Sequence, residues 1–506
     1  MGMLKTLVGS RVPAKYRKYL NLPTRHDSWR IVNTADTPLG QAAARWRVGR
    51  AEKCGVLRLN RGIDALSLRI GLIERAERCI DIQSFLVKDD LSGNLIALKL
   101  IEAADRGVRV RLLMDDALTQ DIDAGLVSIN DHVNIEVRLF NPFPRRRSRF
   151  LSLISNFNIL NRRMHNKSFT VDSQVCIVGG RNIADEYFQS SSDNEFLDED
   201  LFAIGPVVDE VAEGFDEYWN TLEAIPINNV DNLAQHAAIA DTIENGREFI
   251  DDHRENPVLR GLDDSLAIQF MAARLPLVEA DAHLVLDHPD KVRGLIRNQT
   301  GETANFLQQM VSSGTEEVII VSPYFVPQRR GVDFLTALVR QGVRVAVITN
   351  SLASTNHSSV HAVYARYRKP LLRQGVELYE LRPRLTMMAD GEERPDLKMT
   401  LHSKLAVVDR HKLFVGSFNL DPRSLYINTE MGMAVDSREL ATRVAKSLGA
   451  SLQNQTYSLR LARTGGLRWK YLTRDGAHIA RTEPHTSLWR RFKTRLMSFL
   501  PIESQM

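Results

Sequence analysis

The sequence predicts an α/β protein built from two related sandwich domains packed side by side. Three observations carry that expectation. The chain repeats itself at a long period, strand-like and helix-like runs alternate inside each copy, and one chemical motif recurs in register near the end of both copies.

The repeat begins with residues 80–88, which resemble 319–327. Each is a β-rich run with an aromatic near its end. In the first copy Leu95, Leu98, Ile101 and Ala104 mark one face of a helix that Gly107 ends. Residues 108–114 then read as a buried strand, apolar except for two arginines. The second copy repeats the step as Gly342-Val343-Arg344-Val345 against Gly107-Val108-Arg109-Val110. Residues 134–139 and 375–380 match next, at offsets within a few residues of 237. Strands alternating with helices imply parallel pairing. The domains are drawn at 55–235 and 262–455. A basic N-terminal extension covers 1–54, a polar linker 236–261, and a basic amphipathic extension 456–506. Residues 383–400 read as a flexible loop.

The chain has 506 residues, 43% hydrophobic and 25% charged, which excludes disorder, collagen and coiled coil for its bulk. Cys54, Cys79 and Cys176 are too few for a disulfide framework and fit a reducing compartment. There is no apolar run of about 18 residues to span a membrane. The opening MGMLKTLVGS is too short an apolar stretch for a secretory signal, so a cytoplasmic location is expected. The net charge of +4 conceals asymmetry. Lys5, Arg11, Lys15, Arg17 and Lys18 stand in the first twenty residues without an acid, and 458–506 carries ten Lys or Arg against three acids. The stretch 191–217 has ten acids and no base. Basic ends on a near-neutral body suit a polyanion, either anionic lipid or nucleic acid.

The recurring motif is His-x-Lys-x4-Asp: His165, Lys167 and Asp172, then His402, Lys404 and Asp409. Both copies run on to Gly179-Gly180-Arg181-Asn182 and Gly416-Ser417-Phe418-Asn419, with an offset of 237 from histidine to asparagine. If each histidine lies in a strand, the lysine two residues on shares its face. The glycine turns can bring backbone amides near an anion. Two histidines, two lysines, Asn182 and Asn419 converging across a pseudo-twofold axis make a site for one phosphate. The lysines and asparagines hold its non-bridging oxygens, one imidazole attacks phosphorus and the other protonates the leaving oxygen. No metal is expected. A lysine two residues from each histidine repels a cation, and no third imidazole or cysteine clusters nearby.

These motifs resemble those of the phospholipase D superfamily over about residues 55–455. The strings NRRMHNKSFTVD, VGGRNI, FAIGP, NSLA, GSFNLDPRS and NTEMG look closest to bacterial cardiolipin synthases of the C type. The resemblance implies a phosphohistidine intermediate, no metal or cofactor, and two phospholipase D-like domains. It also implies an acid downstream of each motif that orients the imidazole of the opposite half. The matching positions are Glu430 and, after a seven-residue insertion, Asp200. The motif aspartates Asp172 and Asp409 belong to the catalytic signature, with a structural part expected of them, closing turns or pairing with nearby cations. His165 is expected as the nucleophile because family members often use the N-terminal copy.

The implied activity is phosphatidyl transfer to phosphatidylglycerol, giving cardiolipin, at the inner face of a bacterial cytoplasmic membrane. The implied partners are phospholipids (phosphatidylglycerol, with phosphatidylethanolamine a candidate donor) and an anionic membrane surface. An accessory protein is left open. Hydrolysis in the manner of a phospholipase D is the alternative. Nucleic-acid phosphodiesterase activity is another, disfavoured because no aromatics interleaved with Lys or Arg flank the motifs. Two segments favour lipid. Residues 145–163 set Arg145, Arg146, Arg147, Arg149, Arg162 and Arg163 around an apolar core, readable as a membrane-facing flap. In 487–500, Trp489, Phe492, Leu496, Phe499 and Leu500 share one helical face. His357 and His361 are read as candidate acceptor-pocket residues, with a structural role as the rival.

Overall fold

The computed structural model describes residues 25–143, 161–190, 194–230, 233, 238–262, 265–293, 300–384, 397–473, 476–499 and 503. The arginine flap at 145–149 and its apolar core, and the basic residues of 1–24, lie outside them.

Alternating β-branched runs and helices give two copies of one layered unit. In the first, β1 (Cys54–Leu59), β2 (Cys79–Ser84), β3 (Arg109–Asp115), β4 (Ile135–Phe140), β5 (Ser168–Val171), β6 (Val175–Gly179), β8 (Asp200–Ile204) and β9 (Ala224–Pro226) form one sheet, and β7 (Asn194–Leu197) stands apart. The second has β10 (Val278–Leu286), β11 (Glu317–Val321), β12 (Arg344–Asn350), β13 (Glu377–Leu381), β15 (Leu405–Val408), β16 (Lys412–Gly416) and β17 (Met431–Asp436), with β14 (Lys398–Leu401) apart. β2, β3 and β4 are parallel, as are β11, β12 and β13. The parallel steps follow from helices α2 (Leu91–Asp105) and α7 (Gln328–Arg340), which carry the chain back. Asp90 caps α2 by accepting the Gly93 amide, and Gly107 and Gly342 end the two crossovers at φ +93° and +91°.

β1 and β10 pair antiparallel at the centre and fuse the two sheets into one, of 18 strands among the described residues. Around that pair β8 mirrors β17 and β6 mirrors β16. A core of Val56, Val178, Leu201, Ala280, Ile319, Val407 and Met433 lies between the halves. Burying so many branched side chains, each worth about 1.5–3 kcal/mol, holds the domains in fixed register.

Three boundaries differ from the sequence reading. The expected linker contains α4 (Ile239–Asp252), which packs on α2, with Gly246 in contact with Leu98. Its amphipathic pattern lays one face on the protein, with only Gly246 fully buried, where polarity alone suggested a linker. The C-terminal extension begins with β18 (Thr456–Leu461), β19 (Leu467–Thr473) and β20 (Gly476–Ala480), which lengthen the second sheet from β13. The expected loop 383–400 ends in β14, which pairs in parallel with β7 of the other half.

Candidate active site

Each motif histidine sits where the chain leaves one half and touches the other. Met164 bridges Thr429, and the His165 amide donates to the Thr429 carbonyl at 2.9 Å. Leu401 pairs with Leu197, whose carbonyl accepts the His402 amide at 2.8 Å. The histidines therefore precede β5 and β15 rather than lying in them. The lysines turn back instead of sharing a strand face. Lys167 donates to the His165 carbonyl at 2.8 Å, and Lys404 to that of His402.

One residue beyond each bridge, the acid of the opposite half meets the imidazole. His165 donates Nδ1–H to Glu430 at 2.9 Å, and His402 to Asp198 at 2.6 Å. A carboxylate only accepts, so each ring carries its proton on Nδ1 and turns Nε2 outward. This corrects the assignment of Asp200. That residue is held by Arg69 at 2.8 Å and by Arg181 at 3.4 Å, buried away from His402. Asp198 lies 33 residues past His165, and Glu430 28 past His402, so the insertion is five residues and not seven.

The two acids are supported differently. Glu430 accepts from Ser424 at 2.7 Å and also from Ser417. Asp198 accepts the Glu199 amide at 2.8 Å. Gly180 stands where the second copy has Ser417, and a Cβ there would lie 2.1 Å from Asp198 Oδ1. Most amides of the glycine turns are spent on the protein itself. Gly180 donates to Glu199, Gly416 to Lys404, Ser417 to Met431 and Arg181 to Asp200. Their glycines serve close approach of chains.

Asp172 and Asp409 stand outside the cavity. Asp172 accepts the amides of Glu77, Arg78 and Cys79, and Asp409 those of Thr315, Glu316 and Glu317. Each closes a tight turn at φ 51° and ties a hairpin to the start of β2 or β11. Both are bound into the scaffold and neither lines the cavity.

Both histidines open on one cavity of about 840 Å³, shared with Asn182, Asn419, Arg163, Arg423, Phe85, Tyr187, Phe196, Tyr324 and His357. Asn182 donates to the Tyr187 hydroxyl at 2.7 Å, and its Oδ1 and that of Asn419 are buried without a partner. Phe196 stacks on His402 at 5.2 Å and Tyr187 meets it edge-on at 5.0 Å, while Phe85 meets His165 edge-on at 5.1 Å. Sequence reading missed these aromatics, since nothing in their spacing ties them to the motifs. It misread Arg162 and Arg163 as lipid-facing. Arg163 pairs with Asp115 at 2.9 Å, and Arg162 donates to the carbonyls of Lys291 and Tyr426. His357 lines the cavity. His361 does not; it is buried beside Arg368 and Glu483.

The charges are tuned by burial and by each other. Burial, then Lys404, lowers Lys167 to about 7, and burial lowers Lys404 to about 8. Burial and Lys404 take His402 down to about 3, and burial lowers His165, so both rings are neutral. Burial alone would raise Asp198, but Lys404 and His402 outweigh it and hold it below the carboxylate range. Glu430 is lowered likewise, its burial outweighed by His165 and the two serines. Near neutral pH Lys404 is thus mostly charged and Lys167 about half so, facing two carboxylates, and an arriving phosphodiester adds the negative charge that draws a proton onto one imidazole.

Comparison with known proteins agrees with this geometry. The family described as "Cardiolipin synthase, PLD-like domain" matches residues 70–219 and 307–451, one match per half. Cardiolipin synthase C of Escherichia coli K12 is 42% identical over 455 residues, covering 89% of this chain and 96% of that protein. Cardiolipin synthase A of Pseudomonas fluorescens is 26% identical, over 75% of this chain and 64% of its own. The crystal structure of phosphatidylserine synthase from Haemophilus influenzae superimposes with a TM-score of 0.55 at 14% identity, covering 83% of this chain and 92% of that one, and shows the shared fold. With its two matched halves and its crossed histidine–acid pairs, this chain belongs to the cardiolipin synthase family of phospholipase D-like enzymes.

Proposed function

We propose that the protein transfers a phosphatidyl group to the hydroxyl of phosphatidylglycerol, forming cardiolipin through a phosphohistidine. The observation that carries this reading is the pair of crossed histidine–acid contacts opening on one cavity. His165 Nε2 attacks phosphorus and the bond to the donor's headgroup oxygen breaks. His402 gives that oxygen its proton. Phosphatidylglycerol then attacks the phosphohistidine, His402 takes the hydroxyl proton, and the P–N bond breaks. Lys167, Lys404, Asn182 and Asn419 surround the non-bridging oxygens as charge builds. His165 is assigned the attack because no hydrogen bond among the described residues engages its Nε2, whereas the Tyr187 hydroxyl stands 3.5 Å from Nε2 of His402.

The reaction takes place at an anionic membrane surface. Among the described residues no helix is long and apolar enough to cross a bilayer. Helix α10 (Leu488–Met497) instead leaves Trp489 62% and Phe492 57% exposed, stacked at 5.6 Å, while Arg490 donates to the Thr355 carbonyl. The helix is thus docked by one face and offers an aromatic, cation-flanked face outward. The test is purified protein with labelled phosphatidylglycerol, with and without phosphatidylethanolamine. Labelled cardiolipin supports the reading; phosphatidic acid alone identifies water as the acceptor and overturns it.

A further inference from the structure

The duplication supplies an internal control for a second cavity. In the first half, α1 (Gly62–Glu74) is buried along nearly its whole length. It packs directly on α2, α5 (Ser265–Met271) lies over it, and α4 lies over α2. The space beside it is filled by Phe188 and by Arg69, whose guanidinium sits 5.6 Å from the Phe188 ring. The counterpart in the second half is α6 (Glu302–Ser312), which buries only Thr303, Ala304, Met310 and Val311. Between α6 and α7 lies a cavity of about 330 Å³, walled mainly by Ala304, Leu307, Val311, Phe334, Leu335 and Phe414. A concave, chiefly apolar space of this kind has the character of a ligand pocket.

Its mouth is basic. Arg330 lines the cavity, and Arg329 and Arg330 both lie exposed in the first turn of α7. Cations at a helix N-terminus oppose the macrodipole, so an anion there would relieve both the arginines and the free amides. Gln328, which begins the helix and also lines the cavity, has φ +55°, a conformation its side chain does not favour. An apolar slot closed by a cationic mouth matches an amphiphile with one chain and an anionic head.

We propose that this slot binds one acyl chain of an anionic phospholipid, its phosphate at Arg330 and the start of α7, separate from the substrate in the catalytic cavity. The inference rests on the lipid function proposed above. The slot and the catalytic cavity lie on opposite sides of one loop. Phe418, Leu420, Leu425 and Tyr426 face the slot, and Asn419, Asp421 and Ser424 face the catalytic cavity. A chain in the slot packs against the back of the loop that supplies Ser424 to Glu430.

The experiment uses full-length protein carrying His165→Ala, so that occupancy is read without turnover. Vesicles of phosphatidylcholine contain a few per cent of phosphatidylglycerol bearing a photoactivatable diazirine in one acyl chain. Adducts are mapped by peptide mass spectrometry. Labelling is expected on residues 300–311 and 328–335, and Ala304→Phe should abolish it by filling the slot. Arg330→Glu, a surface change that spares the fold, should lower it about tenfold, as should moving the diazirine to a phosphatidylcholine chain. Adducts confined to Phe85 and Phe196, no adducts at all, or labelling indifferent to Arg330→Glu and to headgroup would each overturn the proposal. Turnover of the unsubstituted protein tests the enzymatic reading separately.

Discussion

The two motif histidines occupy equivalent positions of the repeat, yet their surroundings differ. His165 is oriented by a glutamate braced by two serine hydroxyls, with one phenylalanine at its edge. His402 is oriented by a shorter aspartate braced by a backbone amide, with Phe196 and Tyr187 against its ring and Lys404 beside it. Burial and Lys404 take His402 down to about 3 against the pull of Asp198, and burial lowers His165 against the pull of Glu430. The repeat places both imidazoles alike, and the differences at the equivalent Ser417/Gly180 and Ser424/Tyr187 positions give the two rings different neighbours. The ring with the unengaged Nε2 is suited to attack, and the ring with a phenol and an ammonium beside it to moving protons.

The largest effect should come from removing either ring. His165→Ala and His402→Ala should each lower turnover about 10³-fold or more in folded protein. Supplying a covalently trapped lipid label then separates them: His402→Ala should still accumulate the phosphoenzyme and His165→Ala should not. The reverse pattern would exchange their roles.

Next in size is the acid pair. Asp198→Asn should cut kcat on the order of 10²-fold with little change in melting temperature, since it leaves the ring without its orienting anion. Asp200→Asn should do the opposite. It strips Arg69 and Arg181 of a buried counter-ion, which costs about 3–5 kcal/mol and should show in thermal denaturation.

A pH experiment reads the lysines. Lys167 in the folded chain sits at about 7, below its ordinary 10.5, so between those values the unfolded chain binds more protons than the folded one. The Lys167 contribution to stability of the substrate-free protein should therefore rise from pH 7 towards 10 and level off below 7, where the amine is charged in both states. Lys167→Met should flatten the rise, by on the order of 1 °C in Tm per pH unit. Activity should move the other way, declining above about 8 as Lys404 loses its proton.

Smaller again is the surface term. Trp489→Ala with Phe492→Ala should weaken co-sedimentation with anionic vesicles about tenfold at low salt and leave turnover of a short-chain soluble substrate intact. The smallest expected effect is none at all. Exhaustive EDTA dialysis should leave activity in place, because lysines already neutralise the phosphate; restoration by one specific metal would break the scheme.

Much of this site was legible in the chain itself. Periodicity gave the parallel strands and their crossovers, and the exact repeat marked histidines and asparagines that line one cavity. The acid facing His402 was not legible, because 193–200 offers several carboxylates and an insertion hides the register. Only the pairing of Leu401 with Leu197 fixes it on Asp198. The helix α4 escaped for another reason: its apolar stripe is thin, and burial against α2 depends on a neighbour that no local pattern reveals. The aromatic setting of His402 comes from residues brought together by that same crossing.

That crossing has a consequence for how the protein comes into being. Because each imidazole takes its acid from the opposite half, a chain that has emerged only as far as the first half owns a histidine with no acid to aim it. Reactivity is switched on by the last docking event rather than by synthesis of the motif. Two halves supplied as separate chains should accordingly be inert apart and active when mixed.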